Sequence, residues 1–159
     1  MSNQSGRVEA IFLIAENGKQ AHEVRSVAAH PGRGLEGDRH FDDAEACDIT
    51  LIEAEAIERQ NAEHPLDLSQ SDPRRQVVVR GVDLGQFIGR RFSVGEIECE
   101  GEERCEPCNH LAGVIGTEVV KLKGLVHTGL RASIVKGGTI RTGDAVAMTV
   151  SVSGAAERS

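Results

Sequence analysis

Short apolar runs at alternate positions, each cut off by glycine, constrain this chain more than any other feature. A strand sends successive side chains to opposite faces, so alternation marks a half-buried strand, and glycine supplies the tight turn that ends it. Val8, Ala10, Phe12 and Ile14 alternate ahead of the hairpin signal Glu16-Asn17-Gly18, with a partner strand expected over 23–28. Residues 48–52 read as a strand, and the Ala- and Glu-rich stretch 53–62 as a helix that turns Ala54, Ala56 and Ile57 to the core with Ile52. A polar connector with Pro65 and Pro73 follows. Val77-Val78-Val79 has a continuous apolar centre between arginines, the pattern of a strand buried on both faces.

The rest of the chain keeps this rhythm. Residues 83–88 read as a helical turn ended by Gly89. Phe92 and Val94, then Ile97 and Cys99, alternate with opposite parity about Gly95, which marks a turn or bulge and puts Cys99 in the core. Residues 130–135 form a strand, Lys136-Gly137-Gly138 and Thr142-Gly143-Asp144 read as hairpin turns, and Val146, Met148, Val150 and Val152 alternate in a last strand. Eighteen glycines among β-branched clusters make this a mainly β (α+β) chain. The expected fold is a β-barrel of about seven or eight short strands with two or three peripheral helices.

At 159 residues the chain is expected to be one domain, 1–159, with a core over 7–152, frayed ends and no need of disulfides. Four cysteines are no disulfide scaffold, and the N-terminus carries no signal-type apolar stretch, so reduced thiols and a cytoplasmic location are expected. No apolar run approaches the ~20 residues of a membrane helix. The net charge of −7, with four Phe and no Trp or Tyr, argues against nucleic acid, whose binders carry basic faces or stacking aromatics.

Chemistry concentrates in Arg104-Cys105-Glu106-Pro107-Cys108-Asn109-His110-Leu111. The thiolate is the nucleophile and the soft metal ligand, and a nearby cation or a helix N-terminus favours it. Leu111, Val114, Ile115, Val119 and Leu122 recur at helical spacing, so a helix is expected from about Asn109, with Cys108 at its positive end. The pair reads as a redox dithiol, as two zinc ligands completed from Cys99, Cys47 and His110, as one working cysteine beside a second, or as small buried hydrophobes. The loop 30–40 holds three glycines, two arginines and two histidines. It reads either as an anion site or as a solvated turn whose charges cancel.

Four segments, in order, resemble the MOSC domain of molybdenum cofactor sulfurases and of small stand-alone bacterial proteins. They are Gly37-Asp38-Arg39-His40; Arg74-Arg75-x-Val77-Val78-Val79-x-Gly81; Cys105-Glu106-Pro107-Cys108-x-x-Leu111; and Gly129-Leu130-Arg131-Ala132, running on to Gly143-Asp144. The resemblance implies a β-barrel, a functional Cys108 that binds molybdenum in some relatives, and an arginine-lined pocket for molybdopterin. Asp38, Arg39, His40, Arg74, Arg75, His127 and Arg131 are the implied cofactor-binding residues. Other relatives are proposed to carry sulfur as a persulfide, and some reduce N-hydroxylated compounds. Cys105 then suits a resolving thiol or sulfur relay, and a cysteine desulfurase or redox protein a partner. Pyridoxal phosphate belongs to a separate domain and is not expected here. Gln76 stands where the resemblance leads one to expect asparagine, and Phe41 where a second histidine is frequent. Enzymatic sulfur transfer or molybdenum-dependent reduction competes with two other readings. One is a non-enzymatic module for a phosphorylated or carboxylated small molecule; the other is a small structural zinc protein.

Overall fold

The computed structural model describes residues 5–15, 21–43, 47–63, 75–105 and 129–149. The first strand, β1 (Ser5–Leu13), is followed by β2 (His22–Val24), β3 (Ser26–His30) and β4 (Gly34–Leu35). Next come β5 (Ile49–Glu53), α1 (Ala54–Glu63), β6 (Val77–Arg80) and a 3-10 turn (Leu84–Phe87). Strands β7 (Arg91–Val94), β8 (Ile97–Cys105), β9 (Gly129–Lys136), β10 (Gly138–Arg141) and β11 (Ala145–Met148) complete the described chain.

Seven strands close on themselves in the order β11-β7-β8-β9-β5-β6-β1, with β1 and β11 making the seam. Ser5–Arg7 of β1 pair with β11, and Ile11–Leu13 pair with β2, which lies outside the ring. All neighbours in the ring are antiparallel except β5 and β6, whose parallel register needs a crossover, and α1 lies in that connection. The expected barrel is therefore present. Among the described residues it carries one α-helix and one 3-10 turn, while the helix expected from Asn109 lies outside them, as do the turn at Glu16 and the strand positions Val150 and Val152.

Alternation sorts the core. Val77 and Val79 join Leu51, Leu130, Phe92 and Cys99 inside the ring. Ile52 and Val78, paired neighbours of opposite parity, are buried on the outer face with Ala54, Ala56 and Ile57 of α1. That second cover explains the unbroken valine run. Arg80 fastens the helix to the wall: its guanidinium donates to both oxygens of Glu9 on β1 and to Glu58 on α1.

The 3-10 turn reaches from Glu53, whose carboxyl accepts from Leu84 N, to β8, and its Phe87 stacks on Phe92 of β7 with centroids 4.3 Å apart. Gly101 allows this approach: Gly89 N donates to its carbonyl at 2.9 Å, and its own N–H donates to Arg90 O at 3.1 Å. The β8–β9 register shifts just beyond it, between Gly101 and Glu103.

Two expectations are corrected. The strand expected over 23–28 is broken at Arg25 into β2, which pairs with β1, and β3, which leads a separate three-stranded sheet with β4 and β10. The glycine turns at 136–138 and 142–144 are corners, not hairpins, because β10 pairs with β3 while β9 and β11 stay in the barrel. The second corner is fixed by Thr142 N donating to Arg25 O and Gly143 N donating to Val8 O. Glycine marks a change of direction, but it does not name the next partner.

Candidate functional site

The glycine loop is held in two different ways. Its outer half is stapled by its own charges. Arg33 donates to both oxygens of Asp42, at 2.6 and 2.9 Å, and lies 4.8 Å over the Phe41 ring. His30 Nε2 lies 2.6 Å from Glu36 Oε2, and the His30 ring meets Phe41 edge-on. Phe41, which stands where the resemblance leads one to expect histidine, is thus a platform for Arg33. Gly34 and Gly37, at φ +106° and +89°, take conformations that other residues rarely adopt, and the chain reverses through them. Asp48 ties this half to the barrel, accepting from Gly32 N and from Ile134 N of β9.

The inner half is organised by Asp38, which is 7% exposed. A buried carboxylate must find donors, and this one has three from separate parts of the chain. Oδ1 accepts from Ile14 N at 3.0 Å, while Oδ2 accepts from His40 N at 3.1 Å and from Gln76 Nε2 at 2.9 Å. The other end of the Gln76 amide accepts from Thr50 N at 2.9 Å, and Gln76 N donates to Thr50 Oγ1 at 3.0 Å. Arg39 N donates to Ile14 O at 2.7 Å, completing the attachment of the Gly37-Asp38-Arg39-His40 segment to the end of β1 and the starts of β5 and β6.

Beneath that segment is a cavity of about 50 Å³, floored by Phe12 and Ile14 and lined by Asp38, Arg39, His40, Thr50, Arg75 and Gln76. Arg39 lines it, and its Nε is buried and has no hydrogen-bond partner, although a carboxylate sits on the preceding residue. Four of the residues singled out in the sequence, Asp38, Arg39, His40 and Arg75, therefore share one cavity.

Arg131 stands close by on β9. It donates to Glu103 Oε2 at 3.2 Å and also interacts with Cys47, a half-buried thiol with its sulfur 3.6 Å from the Ile49 carbonyl oxygen. Burial pushes the Cys47 thiol up from its ordinary range, and the Arg131 and Arg75 charges pull against it. Burial outweighs the cationic neighbours. In the sequence Cys47 is only one of the candidate zinc ligands, because no period or spacing joins residue 47 to residues 75 and 131. Cys99 is fully buried as expected, its thiol pushed up to about 12 by burial, with Asp48 and Glu98 adding to the rise.

Cys105 ends β8 with its backbone opposite Gly129. Cys108, Arg74 and His127 lie outside the described residues. Among the described residues no three His, Cys, Asp or Glu side chains form a group able to hold a metal ion, and no helix is long and apolar enough to cross a membrane.

Ring and loop together define a small closed β-barrel with Arg39 and Arg75 lining a cavity of about 50 Å³. Residues 36–147 match the model of the MOSC domain, and the chain belongs to that family. No curated protein matches it. Solved structures share the fold at low identity. YuaD from Bacillus subtilis is 14% identical, with 89% of this chain and 94% of that one covered and a TM-score of 0.71. YiiM from Geobacillus stearothermophilus is 13% identical over 91% of this chain and 75% of that one, with a TM-score of 0.71. YiiM from Escherichia coli is 18% identical over 94% and 71%, with a TM-score of 0.68.

Proposed function

We propose that this MOSC domain binds the phosphate end of a molybdopterin-type cofactor in the Arg39–His40–Arg75 cavity and works through Cys108. The observation that supports the reading is the buried Arg39 Nε without a partner, in a cavity whose one carboxylate among the described residues already accepts from three donors. A cation left in that state suits a bound oxyanion. By the roughly 10–15 Å³ that one water requires, about 50 Å³ takes a few waters or one phosphate-sized group, and not a whole pterin. The described residues thus fit the terminus of the cofactor.

When bound, the molybdenum centre would supply electron transfer, and a thiolate is the soft ligand such a metal favours. The chain's own residues do the rest. Arg39 and Arg75 hold and orient the anion, and His40, tethered through its N–H to Asp38, stands at the same wall. A sulfur-carrier version uses the same cysteine, loaded as a persulfide by a desulfurase partner.

The test is protein expressed in a cofactor-competent host, assayed for molybdenum and for pterin fluorescence, with Cys108→Ser and Arg39→Ala beside it. Stoichiometric cofactor, reduced in both variants, is the expected result. Lack of metal and pterin removes the molybdenum version. Lack of sulfane sulfur on Cys108 by mass spectrometry, after incubation with a desulfurase and cysteine, removes the carrier version.

A further inference from the structure

We infer that Gln76 is a positioning residue for the anion cavity: by fastening Asp38, it keeps that carboxylate from closing on Arg39. The inference rests on the reading of the cavity as an anion site. Asp38 and Arg39 line one cavity, and a carboxylate and a guanidinium within reach of each other form a strong charge-assisted pair. They do not pair at Nε. The difference lies in where the acceptor capacity of Asp38 goes. A carboxylate offers about four lone-pair sites, and the donors Ile14 N, His40 N and Gln76 Nε2 engage three of them.

Two of those donors are backbone groups, fixed once the loop is seated. The third is the side chain of Gln76, itself 7% exposed and held at its far end by Thr50 N, so the amide cannot swing away. Its length suits the task, since it spans from Thr50 N at 2.9 Å to Asp38 Oδ2 at 2.9 Å, and asparagine is one methylene shorter. Without this amide, Oδ2 has a vacant acceptor site in a cavity also lined by Arg39, His40 and Arg75, and Arg39 Nε is a buried donor without a partner in that lining. An internal carboxylate then competes with the ligand for the same guanidinium.

The experiment follows the Arg39 Nε–H signal by NMR in the full chain, assigned with Arg39→Lys, during titration with inorganic phosphate at fixed pH. In the wild type the signal is expected to move with phosphate. In Gln76→Met it should already be displaced before any addition, and phosphate should bind on the order of tenfold more weakly, as befits loss of a hydrogen bond to a charged group. Asp38→Asn placed on Gln76→Met should recover affinity, because the competing charge is gone. A residue that serves packing alone predicts the opposite, a double variant worse than either single one. Gln76→Asn is a second variant of smaller disturbance, unable to span Thr50 and Asp38 together, and the same displaced signal is expected there. A wild-type Nε–H indifferent to phosphate overturns the anion site itself. A wild-type response that is unchanged in the Gln76 variants, or a double variant with no recovery, overturns the assignment of Gln76 and leaves the site standing.

Discussion

Replacing Gly101 with alanine tests how the barrel wall and the 3-10 turn fit together. A Cβ built on Gly101 lies 2.1 Å from the Phe87 carbonyl oxygen, 2.7 Å from its carbon and 3.2 Å from Ile88 Cα, all of them backbone atoms that no rotamer change can clear. Reaching van der Waals separation requires β8 and the turn to part by roughly 1 Å. Overpacking of this kind costs about 1–3 kcal/mol. The parting also strains the two hydrogen bonds that join Gly101 to Gly89 and Arg90, at about 1 kcal/mol each. The expected loss is about 3–5 kcal/mol, a large part of the roughly 5–15 kcal/mol that holds a domain together. At about 2–4 °C per kcal/mol, melting should fall by on the order of 10 °C or more. Without Trp or Tyr to report, urea and thermal unfolding are followed by far-UV circular dichroism. Gly32→Ala is the control, because its new methyl group meets nothing within 4 Å and carries only the strain of φ +73°. A Gly101→Ala protein within about 1 kcal/mol of wild type, or no weaker than Gly32→Ala, would refute the reasoning.

Three further outcomes are expected. Burial pushes the Glu53 carboxyl up, against the opposing hydrogen bond from Leu84 N. A raised folded-state pKa means that the native state binds the proton more readily, so wild-type stability falls as pH climbs through and above the ordinary carboxylate range. Glu53→Gln should then be more stable than wild type at neutral pH and level with it in acid, as read from urea midpoints at several pH values. Cys47 should react with iodoacetamide more slowly than a free cysteine at neutral pH and speed up in alkali, and Arg131→Met should slow it further, by peptide-resolved mass spectrometry. Arg80→Met should raise amide exchange in α1 and lower stability, by less in high salt than in low salt, because the two ion pairs it removes are partly solvated; an equal loss at both salt levels would assign Arg80 to packing instead.

The barrel was legible because its cause is local. Alternation and glycine marked β1, β7 and β8, the stretches 48–52 and 130–135 read as strands where β5 and β9 lie, and the unbroken Val77–Val79 run announced a wall covered on both sides. The candidate site was legible in its arginines and not in its architecture. Asp38 stood out within a familiar tetrapeptide, yet its donors come from residues 14, 40 and 76, and no reading of the sequence joins three segments so far apart. The departure at Gln76 was visible as a substitution, but what the longer amide reaches was not. Arg33 and Arg39 carry the same charge in the same loop, and only packing separates them: one spends its guanidinium on Asp42 and Phe41, the other keeps a buried Nε without a partner.

Strands β9, β10 and β11 follow one another along a continuous path. One stretch of chain forms a stave of the barrel, steps outside to brace β3 and with it the base of the arginine loop, then returns to clasp β1 at the seam. Loop and seam are therefore braced by neighbouring strands of one continuous stretch. An occupant that binds only the folded cavity should therefore raise the resistance of the whole barrel to unfolding.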